Sequence, residues 1–425
     1  MKWFTFKNKA AYAMFSTILL TCLHVFSAFA VPGDPCSSVT DFDSVRHQQG
    51  IHSWVNRNNG SSTMLSYKGK IYFSDDERDI ISISPGGFFK YSKTTFGNCR
   101  EIQLLSEPDG SLQRRYFVGR TEQPYEPEGR QWLQEMLPGI IATTGIGAED
   151  RVHRLYAKSG LNGVLQAIEK IENDNVQSIY FSYLLNQPRL KDNDLRHIFA
   201  QVNKFISSDY EKGKLLRKTS PHLLQSDKVT QEYLNAVTLM SSDYEKARVV
   251  SYIVQNGNLS PANFSQAINT VGRIASDYEQ AKVLKQVIVH PGLPERAYKD
   301  VIVQLGNIDS DYEKNRIIFT LMSNQKLLDQ HFNEVLAAVR NIRSDNEKSR
   351  ALAYLVSKHK LTPQNYLQVF PVVADINSAH EKSRTLQKLK TTMPTDNEQV
   401  RAAYVKTAKT INSDYEYQRV VYGVE

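Results

Sequence analysis

Cysteine is scarce in this chain, with 3 in 425 residues. That excludes the disulfide-dense scaffolds of small secreted proteins and the multi-cysteine zinc folds. No apolar run of about 18 residues follows Ala30, which excludes a multi-span membrane protein. Histidine is sparse, and it forms neither an HExxH pair nor a Cys/His zinc spacing. A GxSxG elbow and a Walker loop are missing as well. With 21 Gly and 15 Pro, collagen and low-complexity disorder are excluded. Neither sign of charge dominates: the formal net charge is +7, three of it from the N-terminal lysines, and the remainder is too weak and dispersed for a nucleic-acid partner. The sequence therefore names no catalytic residue, no metal and no cofactor. What remains is a globular composition, 41% hydrophobic and 23% charged, long enough for two or three domains.

The N-terminus reads as an export segment. Lys2, Lys7 and Lys9 precede an uncharged stretch from Ala10 to Ala30. Ala28-Phe29-Ala30 is a small-x-small cleavage site. A signal peptide over 1–30 is the preferred reading. The stretch is also long enough to stay as an uncleaved anchor, and only then would a membrane be a partner. Lipidation at Cys22 is a third reading, with Thr21 a poor preceding residue. Cleavage would take the formal charge from +7 to +4. Cys36 and Cys99 would then be the remaining cysteines. In an oxidising compartment they are expected to pair rather than stay as thiols. Such a bridge closes a loop of about 60 residues and contributes roughly 4 kcal/mol by loop entropy.

The chain changes character near residue 125. Residues 31–124 read as a β-rich domain, a small antiparallel sheet of four to six strands. Short β-prone runs alternate with turn signals at Asn58-Asn59-Gly60, Ser84-Pro85-Gly86-Gly87 and Pro108-Asp109-Gly110. Residues 65–73 alternate as one strand would, and Arg120 to Pro127 reads as a linker. Residues 125–172 then follow helical spacing, with Gly139, Gly145, Gly147 and Gly160 as separators.

A repeat array fills residues 173–425. Ser208-Asp209-Tyr210-Glu211 recurs from Ser242, Ser276, Ser310, Ser344, Ser378 and Ser413. The spacing is 34 residues five times and then 35. Asn173-Asp174-Asn175 looks like a degraded opening copy. Ser-x-x-Glu before an apolar periodic run predicts a capping box: Ser accepts from the Glu amide, and Glu returns to the Ser amide. Each motif should therefore start a helix. Val283, Leu284, Val287 and Ile288 line one such helix, and Ala297, Val301, Ile302 and Leu305 line its partner. Two helices per repeat predict an α-solenoid of about seven helical-hairpin repeats, of HEAT or tetratricopeptide type. The fold class is thus α+β. The helix carrying Val420 and Val421 would need a cover, from its own repeat, a partner or a second copy.

Tyr67-Lys68-Gly69-Lys70, Asp76-Glu77-Arg78-Asp79, Ile83-Ser84-Pro85-Gly86-Gly87, Gly129-Arg130-Gln131-Trp132-Leu133, Arg151-Val152-x-Arg154-Leu155 and the SDYEK-type repeats resemble a group of uncharacterised exported bacterial proteins. Related segments occur beside antirepressor-type membrane metallopeptidases. With no HExxH here, the resemblance implies export and a helical repeat, and no peptidase activity.

Two rows of motif residues are candidate partner-binding positions. Tyr210, Tyr244, Tyr278 and Tyr312, with Tyr415, form an aromatic row that either binds a partner or packs repeat on repeat, and packing is the preferred reading. A base follows each motif Ser by six residues, including Arg248, Lys282, Arg316 and Arg350. It either binds an acidic partner or pairs with its own motif Glu, the preferred reading. Asn346 and His380 break the tyrosine row, by drift or at a docking place. Ser74 to Asp79 is an acidic cluster without EF-hand spacing, read as a solvated hairpin end with internal Arg pairing. The expected function is a non-catalytic exported interaction protein, periplasmic or secreted. Its solenoid would bind a protein, a peptide or an envelope polymer. Alternatives are an envelope hydrolase near Arg130, Trp132, Glu135 and Glu149, and a sensory accessory of a membrane signalling protein.

Overall fold

A computed structural model of the chain describes Cys36 and residues 50–422. The export segment, with Cys22 and its cleavage site, lies outside the described residues. Among the described residues, no helix is long and apolar enough to cross a membrane. The described residues form two compact units that part between Glu135 and Met136.

The first unit is an antiparallel sheet. Its strands are β1 (Ile51–Asn58), β2 (Ser61–Lys68), β5 (Phe88–Thr95), β6 (Asn98–Ser106), β7 (Leu112–Val118) and β8 (Thr121–Gln123), paired in that order. β3 (Ile71–Phe73) and β4 (Ile80–Ile83) form a separate hairpin. Cys36 and Cys99 are joined in a disulfide, the expected pairing of these two cysteines. Register puts Leu65, Tyr91, Ile102 and Tyr116 in one row across four strands. Trp132 packs on that row, its ring 5.7 Å from Tyr91 and 6.0 Å from Tyr116. Burying each such side chain contributes ~1.5–3 kcal/mol.

Three expectations fail here for local reasons. Residues 65–73 are two strands, because Gly69 turns the chain at φ +85°. The linker contains β8, which pairs Val118 with Thr121 across a tight turn. Gly139 lies inside the helix Arg130–Thr144, while Gly145 and Gly147, at φ +69° and +71°, separate it from Ala148–Glu169, and Gly160, at φ +60°, kinks that next helix. The β5–β6 turn, Phe96-Gly97, carried no recognised signal. Both residues have positive φ, as a two-residue hairpin of the primed type requires. Phe96 bears that conformation with its ring against Gly60, where a Cβ would lie 2.7 Å from the ring.

The second unit holds the repeats. Asp243–Asn256 pairs with Pro261–Val271, and Asp277–Ile288 with Glu295–Gln304. The same alternation runs from Asp174–Leu185 to a last described helix, Asp414–Val421. Val283, Leu284, Val287 and Ile288 face Ala297, Val301 and Leu305 in one continuous apolar core. Helix-breaking Pro291, Gly292 and Pro294 fall between the two helices, as their chemistry demands. The repeat that opens at Ser310 is irregular: its second half is split into Gln325–Gln330 and Phe332–Arg340.

Candidate interaction surface

Each motif residue has a separate task. The serine caps its helix: Ser242, Ser276, Ser310 and Ser344 accept from the amides of Glu245, Glu279, Glu313 and Glu347 at 3.3–3.4 Å. Asn173 replaces serine in the opening copy and accepts from Val176 in the same way.

The return arm of the capping box is not made. The serine amide donates instead to the motif aspartate of the preceding repeat. Ser242 reaches Asp209 at 2.6 Å, Ser276 reaches Asp243 at 3.0 Å, and Ser310 reaches Asp277 at 2.7 Å. Ser344 and Ser378 reach Asp311 and Asp345, each at 2.7 Å. The same carboxylates also accept from the residue before each serine, as Asp277 does from Asp309 at 3.1 Å. Asp174 opens this ladder by accepting from Ser207 and Ser208. The ladder stops where Ala379 replaces aspartate.

The motif glutamate is occupied elsewhere. It pairs with the base three residues on in all seven copies, as at Arg248–Glu245 (3.3 Å), Lys282–Glu279 (3.3 Å), Arg316–Glu313 (2.9 Å) and Arg350–Glu347 (2.7 Å). The basic row is thus neutralised pair by pair, on the same helix face. Several glutamates also accept from the preceding repeat, as Glu347 does from Asn315 at 2.6 Å.

The tyrosines are only partly taken up in packing, Tyr278 lying under Arg316 of the next repeat. Tyr210, Tyr244, Tyr278 and Tyr312 are 53–58% exposed, and Tyr415 is 72% exposed. Two residues past the cap, they precede the buried stripe, which starts at Glu245, Lys246 and Ala247 in the second copy. Cations flank them. Lys214 lies 6.0 Å from the Tyr210 ring, Arg248 lies 5.3 Å from Tyr244, and Arg316 lies 5.8 and 6.0 Å from Tyr278 and Tyr312. No hydrogen bond reaches these four hydroxyls among the described residues. Where the row breaks, the replacement side chains bond to the next repeat: Asn346 donates to Glu381 at 3.2 Å, and His380 meets Glu416 at 3.2 Å.

Two structural sets escaped the sequence reading. One is the fifth motif position, where Lys212, Lys246, Lys348 and Lys382 are buried. Lys246 donates to the Arg273 carbonyl and Lys382 to the Thr410 carbonyl, both at 3.1 Å. Burial pushes the Lys382 amine below its ordinary value. The other set is an aromatic column on the second helices, including Phe199, Tyr233, Phe264, Tyr298 and Tyr366. Tyr233 and Tyr298 donate from the core to the carbonyls of Leu216 and Leu321, each at 3.0 Å. Burial raises the Tyr298 phenol well above its ordinary value.

The other candidates have structural partners. Asp79 binds Arg114 at 3.0 Å and Arg130 at 2.8 Å, both outside the acidic cluster. Ser74 bonds Asp76 at 2.6 Å and holds its carboxyl below the usual range. Arg130 also pairs with Glu126, and Trp132 is core. Glu135 and Glu149 are exposed.

No protein-family model matches the chain, and no curated protein does. Among solved structures, one from the computational design of self-assembling cyclic protein homooligomers is 12% identical, covering 67% of this chain and 95% of that one at a TM-score of 0.15. A likeness that slight carries no weight here.

Proposed function

We propose that this is an exported, non-catalytic interaction protein whose repeat array binds a protein, a peptide or an envelope polymer. The observation that carries the reading is the row Tyr210, Tyr244, Tyr278 and Tyr312: one large ring per repeat, more than half exposed, each beside a cation. Exposed tyrosine supplies rigid contact area at low entropic cost, and such residues dominate binding surfaces. Each of the bases Arg248, Lys282, Arg316 and Arg350 is paired with its motif glutamate, and Arg248 and Arg316 also flank tyrosine rings, so they serve as local donors rather than as a charged stripe. Export is supported by the Lys2-to-Ala30 pattern, by the disulfide, and by the resemblance to exported SDYEK-repeat proteins. A mature N-terminus at Val31 would make the protein periplasmic or secreted. An uncleaved segment would anchor it.

The test is site-specific photo-cross-linking from the exposed position 241 in the full chain, in its native envelope, read by mass spectrometry. The expected result is a saturable adduct that disappears when Tyr244 and Tyr278 become alanine. An adduct pattern indifferent to those substitutions, or none above background, would sink the reading.

A further inference from the structure

The tyrosine row has a period as well as an exposure, and the period selects a partner. Packed neighbouring helices lie ~8–10 Å apart. Here the Arg316 guanidinium lies 5.8 Å from the Tyr278 centroid and 6.0 Å from that of Tyr312, so the two rings are no farther apart than the sum of those distances. A polyproline II helix turns once in three residues and rises ~3.1 Å per residue, presenting the same face about every 9 Å. A β-strand repeats its face every ~6.7 Å and falls out of step within two repeats.

Resting on the interaction reading above, we propose that Tyr210, Tyr244, Tyr278 and Tyr312 form a docking track for a proline-rich segment in the polyproline II conformation, one turn per repeat. The chemistry of the row fits that occupant on three counts. Its ring faces suit pyrrolidine rings, the pairing used by aromatic-lined grooves that take such segments. Its unused polar groups can donate. The four tyrosine hydroxyls reach no acceptor among the described residues, and the adjacent guanidinium of Arg316 keeps further N–H groups beyond its bonds to Glu313. A polyproline II backbone offers what such a row lacks, a line of solvated carbonyl acceptors, and its prolines bring no N–H. An α-helical partner would have spent those carbonyls internally. Charge agrees too. Each base is matched by its glutamate, so the row is neutral and suits an uncharged segment better than an acidic one. Asn346 ends the track, since its amide is tied to Glu381. Four tyrosines thus set a length of about 12 residues.

The test uses the full chain and a labelled oligoproline peptide of about 12 residues, read by fluorescence anisotropy. Saturable binding is expected, weaker for a six-residue peptide. Y244A/Y278A should weaken it at least tenfold with an unchanged circular dichroism spectrum. Tyr415→Ala, beyond the gap at Asn346 and His380, should leave it unchanged. The proposal is overturned by no saturable binding at millimolar peptide, by equal affinity in Y244A/Y278A, or by a chito-oligosaccharide binding the row where oligoproline does not. If oligoproline fails while Y244A/Y278A still abolishes the envelope cross-link, the interaction function stands and the polyproline assignment falls.

Discussion

Replacing Asp277 should loosen one repeat from the next without touching the apolar core. Its carboxylate accepts from the amides of Asp309 and Ser310 at 3.1 and 2.7 Å, and it sits half-buried in the first turn of its own helix. Hydrogen bonds to an ionised group contribute ~1.5–3 kcal/mol each, with partial exposure favouring the low end. The helix dipole adds ~0.3–1 kcal/mol. Asp277→Ala should therefore cost about 3 kcal/mol of local stability, and Asp277→Asn, which keeps one carbonyl acceptor, about half of that. A global denaturation midpoint is a poor readout, because a repeat array beside a second unit does not unfold in two states. Native-state amide exchange reads the contact directly. The Ser310 amide should exchange roughly 100-fold faster in Asp277→Ala. The unmodified protein contains its own comparison: Ala379 cannot accept from the Ser413 amide, which should exchange faster than the Ser310 amide. The reasoning fails if Asp277→Ala changes Ser310 exchange less than about threefold, or speeds Ser242 and Ser276 as much as Ser310.

Three further outcomes are expected. Tyr298→Phe removes a buried bond to the Leu321 carbonyl and should cost about 1 kcal/mol of local stability, read by native-state amide exchange in the helices Glu295–Gln304 and Asp311–Met322, whereas Tyr312→Phe, on the surface, should cost close to nothing. Cys36→Ser should cost about 2–5 kcal/mol, with faster exchange confined to strands β1 to β8, because the Cys36 amide also bonds Glu101 in the sheet interior at 2.9 Å; a change that spread into the repeats would contradict this. Glu416 is held below the ordinary carboxylate range by hydrogen bonds from Ser383 and then His380. A depressed folded pKa gives stability that is complete above the unfolded value of ~4.3 and lost as pH falls through the folded one. A carbonyl-detected titration should therefore place the Glu416 midpoint below 4.3, and His380→Ala should raise it.

What the sequence made legible was local. A serine cap needs only the next three residues, so Ser242 and its counterparts read directly as helix starts. The base at Arg316 was placed on Glu313 for the same reason, being one helical turn away. The aspartate ladder was hidden because each acceptor lies a whole repeat from its donor, and the motif offered a nearer candidate in the glutamate. The buried lysines were hidden because a long polar side chain at a helix start reads as solvated. Only packing shows that Lys246 lays its stem in the interior and ends on the Arg273 carbonyl. The aromatic column did leave a trace: Phe264, Tyr298, Phe332 and Tyr366 recur at the motif's own period of 34. The period slips between Tyr233 and Phe264, which obscures it. The Phe96-Gly97 turn defeats propensity outright, since a bulky aromatic seldom takes positive φ.

The division of labour inside the motif says where the array's free chemistry lies. Serine is used on its own helix, aspartate on the next repeat, glutamate on the base, and lysine on a loop carbonyl. Tyrosine alone contributes no hydrogen bond to the array in the copies at 210, 244, 278 and 312. The position can serve the array, because Asn346 and His380 at that same place each reach the following glutamate, and Asn175 accepts from Lys214 at 3.1 Å. Four consecutive repeats therefore forgo a bond between repeats that a smaller polar residue makes. Holding more than half of each ring in water returns little to stability beyond a cation–π contact of ~0.5–1 kcal/mol. An array with a buried aromatic column of its own has no packing need for a second one outside. The tyrosines are thus the part of the repeat whose chemistry faces outward, and a partner that matches their spacing is what would use it.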